Sequence, residues 1–237
     1  MTGAGTTLRG ALVDDRDGPL PAMLLAFTFL AGIVDATSIL ALDHVFVAAI
    51  TGNIVFLGLG LAGAGSIVSP AMAVAGFVVG AVVGARVCRH AGHRGRAVRD
   101  TAITKTTLAV PVTLVVVLVD GPLGTTPRLA VTALLAASMG AQLALIRHLK
   151  VPDLLTAVLT LTTIGLLTEH GGGRRDPLVL RRVLALLAFV AGVVAGGLLV
   201  VGVDAGAALL LGLLVILAVG AGSHVVSRDE APWAAPR

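Results

Sequence analysis

Charge-poor apolar blocks, most of them near the roughly 20 residues that a bilayer core of about 30 Å demands of a helix, follow one another from Leu20 to Val226. They are Leu20–Leu42, Val45–Gly63, Ile67–Val87, Ala102–Val119, Leu129–Ile146, Leu154–Leu167, Val183–Val203 and Ala205–Val226. A chain patterned in this way belongs in lipid. Its 237 residues are 57% hydrophobic and 13% charged, with a mean hydropathy of +1.01, which excludes an ordinary soluble domain.

Two blocks differ from the rest. Val45–Gly63 is interrupted by Thr51-Gly52-Asn53, and the shorter Leu154–Leu167 carries Thr156, Thr160, Thr162 and Thr163. Lys and Arg decide how these blocks are drawn, because they concentrate in cytoplasmic loops. If all eight blocks span, the 17 basic residues divide almost evenly between the two sides. If the two polar blocks dip in and return, every basic residue except Arg128 falls on the side of the N-terminus. The expected architecture is therefore all-α integral membrane: six transmembrane helices, two short re-entrant or broken-helix segments, and both termini in the cytoplasm. Residues 1–19 and 227–237 are tails, and 20–226 form one membrane domain. The acidic Asp14, Asp15 and Asp17 do not make a cleavable signal.

Phe77-Val78-Val79-Gly80-Ala81-Val82-Val83-Gly84 resembles Phe189-Val190-Ala191-Gly192-Val193-Val194-Ala195-Gly196, with Phe, Val and two Gly in register. Each copy follows a span with a buried polar residue, Asp35 or Gln142, and a polar-interrupted short block. Halves of three spans, about 20–120 and 129–226, must insert in opposite senses. This predicts the inverted 3+3 repeat of many transporters and channels.

Within the spans, Asp35 is the costliest residue, since an ionised carboxylate at membrane depth carries roughly 2.5–3.5 kcal/mol on insertion scales. Gly32, Thr37 and Ser38 surround it with small and hydroxyl-bearing side chains. Two readings stand: a carboxylate for proton coupling or cation binding, and a carboxyl that fixes helix packing. Thr51-Gly52-Asn53 is suited to break a helix at depth, which is tolerated only where the backbone is buried in protein or lines a cavity. Thr156, Thr160 and Thr163 recur at helical spacing as a hydroxyl stripe, although Thr often bonds its own preceding turn. Gln142 occupies roughly the place of Asp35 in the second half. His44, beside Asp43, leads into the interrupted block as part of an entrance.

Gly76, Gly80 and Gly84 form a stripe at every fourth position, repeated by Gly192 and Gly196, and predict close helix packing where the halves meet. The other histidines lie in loops or near segment ends and make no metal site. With 3% aromatics and its basic residues in short loops, the chain is not a nucleic-acid binder, despite a net charge of +4. No Walker loop, dinucleotide fingerprint, His-Glu-x-x-His or Gly-x-Ser-x-Gly is present, so neither a cofactor nor an enzymatic activity is expected.

Leu30-Ala31-Gly32-Ile33-Val34-Asp35-Ala36, followed by Val45-Phe46-Val47-Ala48-Ala49-Ile50-Thr51-Gly52-Asn53, resembles the YoaK-like family of bacterial membrane proteins, which carries a domain of unknown function. The likeness continues at Ser138-Met139-Gly140-Ala141-Gln142, where the family tends to have Met-Gly-x-Gln followed by Asn; here Leu143 follows. It covers roughly residues 20–225 and implies a multi-pass inner-membrane protein with no established activity.

The leading expectation from these residues is a small-solute secondary transporter or channel, with Asp35, Thr37, Ser38, His44, Thr51, Gly52, Asn53, Gln142, Thr156 and Thr160 along the pathway. Its partners are the bilayer, a small solute or proton, and further copies of the chain in a homo-oligomer. The alternative is a non-transporting assembly or regulatory protein whose polar residues serve helix packing.

Overall fold

The computed structural model describes residues 8–119, 121–151, 164, 177–228 and 231–235. Among these the chain forms eight α-helices: α1 (Leu8–Leu12), α2 (Leu20–Ala41), α3 (Ile50–Leu61), α4 (Val68–His90), α5 (Arg94–Leu118), α6 (Thr125–Leu149), α7 (Pro177–Gly202) and α8 (Ala205–Val226). A 3₁₀ turn at Pro232–Ala234 follows. Six of them, α2 and α4 to α8, are long and apolar enough to cross a membrane. At 1.5 Å per residue, the 12 residues of α3 reach about 18 Å and cannot.

Helix starts follow from capping. The His93 ring accepts from Arg96 N–H at 3.2 Å and opens α5, and Asp204 accepts from Ala207 N–H at 2.7 Å and opens α8. Each side chain satisfies one of the amides left without a partner at a helix start. Because nothing breaks the chain after His93, α5 begins at Arg94 rather than at the apolar block's edge, Ala102.

Helices α2, α5 and α7 start at the end of the bundle that holds both chain termini, and α4, α6 and α8 run back toward it. Helix α4 packs most extensively on α6, α2 on α7, and α5 on α8. The first two pairs are parallel and are set by glycine. A Cβ on Gly76, Gly80 or Gly84 would overlap the backbone of Ala133, Ala137 or Ala141, and one on Gly192 or Gly196 the backbone of Phe29 or Ile33. The partners respond in kind, since Gly140 lies against Phe77 and Gly32 against Phe189. In lipid, such contact gains dispersion and packing energy that a solvent-driven hydrophobic effect cannot supply. Helices α2 and α6 occupy the centre, whereas Val79, Leu187, Leu198 and Leu214 on the outer helices are more than half exposed and face lipid.

The described parts of both tails pack together at one end of the bundle. Arg94, at the start of α5, is 2% exposed and donates to Asp17 Oδ1 at 2.9 Å, to the Leu149 carbonyl at 2.7 Å and to the Trp233 carbonyl at 3.1 Å. Arg181 of α7 donates to the Ala11 carbonyl at 2.9 Å and pairs with Asp14. The Trp233 ring covers Gly18, whose φ of +55° and lack of a side chain leave room for it. Residues 8–19, which read as a polar tail in the sequence, thus form a latch with the C-terminal turn. Burial works against the charged form of Asp14, but the Asp17 N–H, Arg181 and the Arg16 N–H outweigh it and hold its pKa below the ordinary 3.8.

Two outcomes follow. Gly80→Ala should lower the thermal stability of the purified protein by about 1–3 kcal/mol or more, whereas Gly197→Ala, with open space at its Cβ, should leave it within about 0.5 kcal/mol. Because the pKa of Asp14 is depressed on folding, its contribution is complete above 3.8 and is lost as pH falls through its lower folded value. Limited trypsin cleavage at Arg16 should therefore stay slow from pH 8 to 5, and Asp14→Asn should accelerate it across that range.

Candidate functional site

After α2 the chain turns sharply. Asp43 and His44 adopt left-handed φ of 60° and 58°, a conformation that Asp and His accept more readily than most residues. Residues Val45 to Ala48 then run back beside α2. Asp35, six positions or about 9 Å before the end of α2, accepts at Oδ1 from Val47 N–H at 3.0 Å and from Ala48 N–H at 2.9 Å. Ser38 Oγ donates to the Val45 carbonyl at 2.8 Å. Asn53 Oδ1 accepts from Phe46 N–H at 3.0 Å, and its Nδ2 donates to the Phe46 carbonyl. Three side chains thus hold the backbone of four consecutive residues at membrane depth, where an unpaired group costs several kcal/mol.

The same geometry makes the segment re-entrant. Asp43 pairs with Arg128 at 3.0 Å and accepts from Ser69 Oγ at 2.8 Å. The end of α2 and the starts of α4 and α6 therefore meet at one level, the end of the bundle distal to the termini. The chain between Asp43 and Ser69 enters from that end and leaves by it.

The sequence-predicted residues fall into place unevenly. Asp35, Ser38 and Asn53 converge on Val45–Ala48. Gly52 lies under the Phe46 ring, with a Cβ there 2.5 Å from Phe46 Cδ2. Thr51 and His44 are exposed. Thr37 spends its hydroxyl on the Ile33 carbonyl of its own helix at 2.8 Å. Thr51-Gly52-Asn53, expected as a helix break, is instead the first turn of α3; the break is at Asp43 and His44, because Asn53 bonds Phe46 rather than its own turn. Thr156, Thr160 and the second polar block, Ile164 apart, lie outside the described residues.

One site residue was absent from the sequence reading. Lys105, counted there only among the basic residues on the side of the N-terminus, lies near the middle of α5 with no exposure at all. Its Nζ donates to Gln142 Oε1 at 2.8 Å and to the Ser138 carbonyl at 3.3 Å, and sits 5.4 Å from the centroid of the Phe27 ring. Gln142 Nε2 donates in turn to the Phe27 carbonyl at 3.0 Å, which fixes the amide so that its oxygen faces the ammonium. Gln142 is therefore the partner of Lys105, in a cluster separate from Asp35. The cap at His93 was the available signal: a helix counted from there puts Lys105 about 17 Å in.

Two cavities adjoin these residues. At the distal end, a cavity of about 560 Å³ opens between the ends of α2, α5 and α7 and the start of α8, lined among others by Thr37, Leu42, Val117, Asp204 and Leu209. Beneath it a small void of about 10 Å³ is lined by Leu209, Thr113, Ser138 and Met139, among others. Leu209 is common to both, and Ser138 of the inner void's lining is also a backbone partner of Lys105.

A family described as "Protein of unknown function (DUF1275)" matches residues 23–222, the whole of the membrane region from α2 to α8. The chain belongs to that family. This agrees with the YoaK-like resemblance carried by Asp35 and Thr51-Gly52-Asn53. Neither the curated proteins nor the solved structures contain a match.

The Asp35 anchor makes a direct prediction. Cys88, the single cysteine, is buried, so a cysteine placed at Val47, itself 1% exposed, reports on the segment. Labelling of Val47→Cys by a maleimide should be slow. Adding Asp35→Ala removes two charge-assisted bonds, on the order of 2–4 kcal/mol, and should raise the rate at least tenfold; Asp35→Asn, which keeps an acceptor oxygen, should raise it less.

Proposed function

We propose that the protein is a secondary transporter or channel for a small solute, placed in the inner membrane with both termini in the cytoplasm. The observation that carries this reading is the distal cavity, with a small inner void beneath it that shares Leu209 as a wall residue. Its volume of about 560 Å³ lies in the range of small-ligand sites. At the opposite end Arg94, Asp17 and Trp233 tie the described parts of the tails together. A cavity that opens toward one face of a helical bundle is what one of the two forms of alternating access requires.

The helix contacts follow the pattern expected of an inverted repeat, which supports the same reading. From Gly32 to Gly140 is 108 positions and from Phe77 to Phe189 is 112, and the reciprocal contacts obey both offsets. Gly80 on Ala137 matches Gly192 on Phe29, and Gly84 on Ala141 matches Gly196 on Ile33. On this register the counterpart of Asp35 is Leu143. Asp35, Thr51, Gly52 and Asn53 enter the proposal as the frame of the re-entrant segment, and Thr37 as part of the cavity wall.

The saturation of Asp35 and Asn53 by backbone favours a second reading, a non-transporting membrane protein in which polar residues serve packing. Reconstituted vesicles separate the two. Leu209→Trp should plug the route and reduce flux of the transported solute at least tenfold while the protein still elutes as a folded species. Absence of wild-type flux across a broad panel of small ions and neutral solutes, with Asp35→Asn and Asn53→Ala lowering only abundance, would count for packing.

A further inference from the structure

Three helices end at the distal cavity. The last turns of α2, α5 and α7 contribute Ala41, Val117 and Val200 to its wall, and the first turn of α8 completes it. A helix leaves its last carbonyls without an intrahelical donor, and its aligned peptide dipoles place roughly half a negative charge at that end. Here the amides of Leu42, Val119 and Val203 return to the carbonyls of Ser38, Val115 and Leu199, and the carbonyls that follow in each helix accept no hydrogen bond among the described residues. Asp204 adds a whole charge. Its Oδ1 takes the Ala207 amide at 2.7 Å and so answers the positive end of α8, while its Oδ2 has no hydrogen bond among the described residues. No Lys, Arg or His is among the described lining residues. Arg128, which lies at this end, does not line the cavity and pairs with Asp43.

We infer that the distal cavity binds a small alkylammonium ion, its N–H groups on Asp204 and the carbonyl ends of α2, α5 and α7, its alkyl body against Leu42, Val117 and Leu209. For movement across the membrane this rests on the transport reading above; for binding it rests on the cavity alone. A primary ammonium brings three donors and a positive charge to a place rich in acceptors and negative ends. Thr37 adds to that surplus, since its hydroxyl proton is spent on the Ile33 carbonyl and only its oxygen is left to accept. A carboxylate of the same size would meet like charge. A bare metal ion would need six or so oxygen ligands and would gain nothing from leucine and valine walls. A neutral molecule fills the apolar part but leaves the negative ends without a partner. The volume of about 560 Å³ admits an alkyl chain beside the charged group.

Protection of an introduced cysteine tests the site. Val117 lines the cavity and is 46% exposed, and the native Cys88 is buried, so Val117→Cys in the purified full-length protein should react with a neutral methanethiosulfonate. At neutral pH and constant ionic strength, isopentylammonium should slow that reaction saturably. Isopentyl alcohol and isovalerate, which share its carbon skeleton but are neutral and anionic, should leave the rate nearly unchanged. Asp204→Asn keeps a capping oxygen for α8 and removes the charge, so it should raise the half-protecting concentration about fivefold. Equal protection by the alcohol or the carboxylate, or none by any of the three, overturns the proposal, as does an unaltered half-protecting concentration in Asp204→Asn. Should Val117→Cys not fold, Leu210→Cys, 45% exposed in the same wall, carries the same comparison. Flux above that of protein-free vesicles is read separately. Protection without flux of any solute keeps the site and removes the transport reading, whereas flux of another solute without protection by the ammonium removes the site and keeps transport.

Discussion

A bilayer offers no water to a peptide group, so every backbone N–H and C=O at membrane depth must be satisfied by the protein itself. Six helices meet this requirement internally. The segment from Asp43 to Ser69 cannot, because it turns and runs extended for several residues before α3 begins. Asp35, Ser38 and Asn53 meet its demand group by group: the Val45 carbonyl, both polar groups of Phe46, and the amides of Val47 and Ala48. The polar residues that stand out in the sequence are thus the ones that let a non-helical segment exist in the membrane.

The same requirement shapes helix packing. Since lipid is as apolar as leucine, helices gain from meeting only where their backbones come close, and the stripes of Gly76, Gly80 and Gly84, and of Gly192 and Gly196, allow it. These contacts make α4·α6 and α2·α7 close parallel pairs, with α2 and α6 at the centre. The central pair in turn carries both polar clusters: Asp35 and Ser38 on α2 facing the re-entrant segment, and Ser138 and Gln142 on α6 facing Lys105. A buried ammonium among neutral partners is costly for packing alone.

Much of the architecture was legible in the chain. Long apolar blocks set the number of spans, the distribution of Lys and Arg pointed to the first polar block as one that turns back, and the glycine spacing marked the contact faces, because each reflects a one-dimensional constraint of length, charge or period. The site was legible only in part. Asp35 and Asn53 were visible as costly residues at depth, but whether they face a solute or a backbone depends on a loop whose path no local pattern encodes.

Lys105 shows the limit most clearly. By itself the sequence determined an all-helical membrane chain with six spans and a polar insert, since hydrophobic run length and charge position act along the chain. Only the tertiary structure decided that a lysine at the edge of an apolar block lies at mid-bundle against Gln142 and Phe27, that Thr51-Gly52-Asn53 begins a helix, and that the tails form a latch of Arg94, Asp17 and Trp233. The physical reason is that each of these depends on which groups from distant parts of the chain come within hydrogen-bond reach, and for a group without water that partner settles its role.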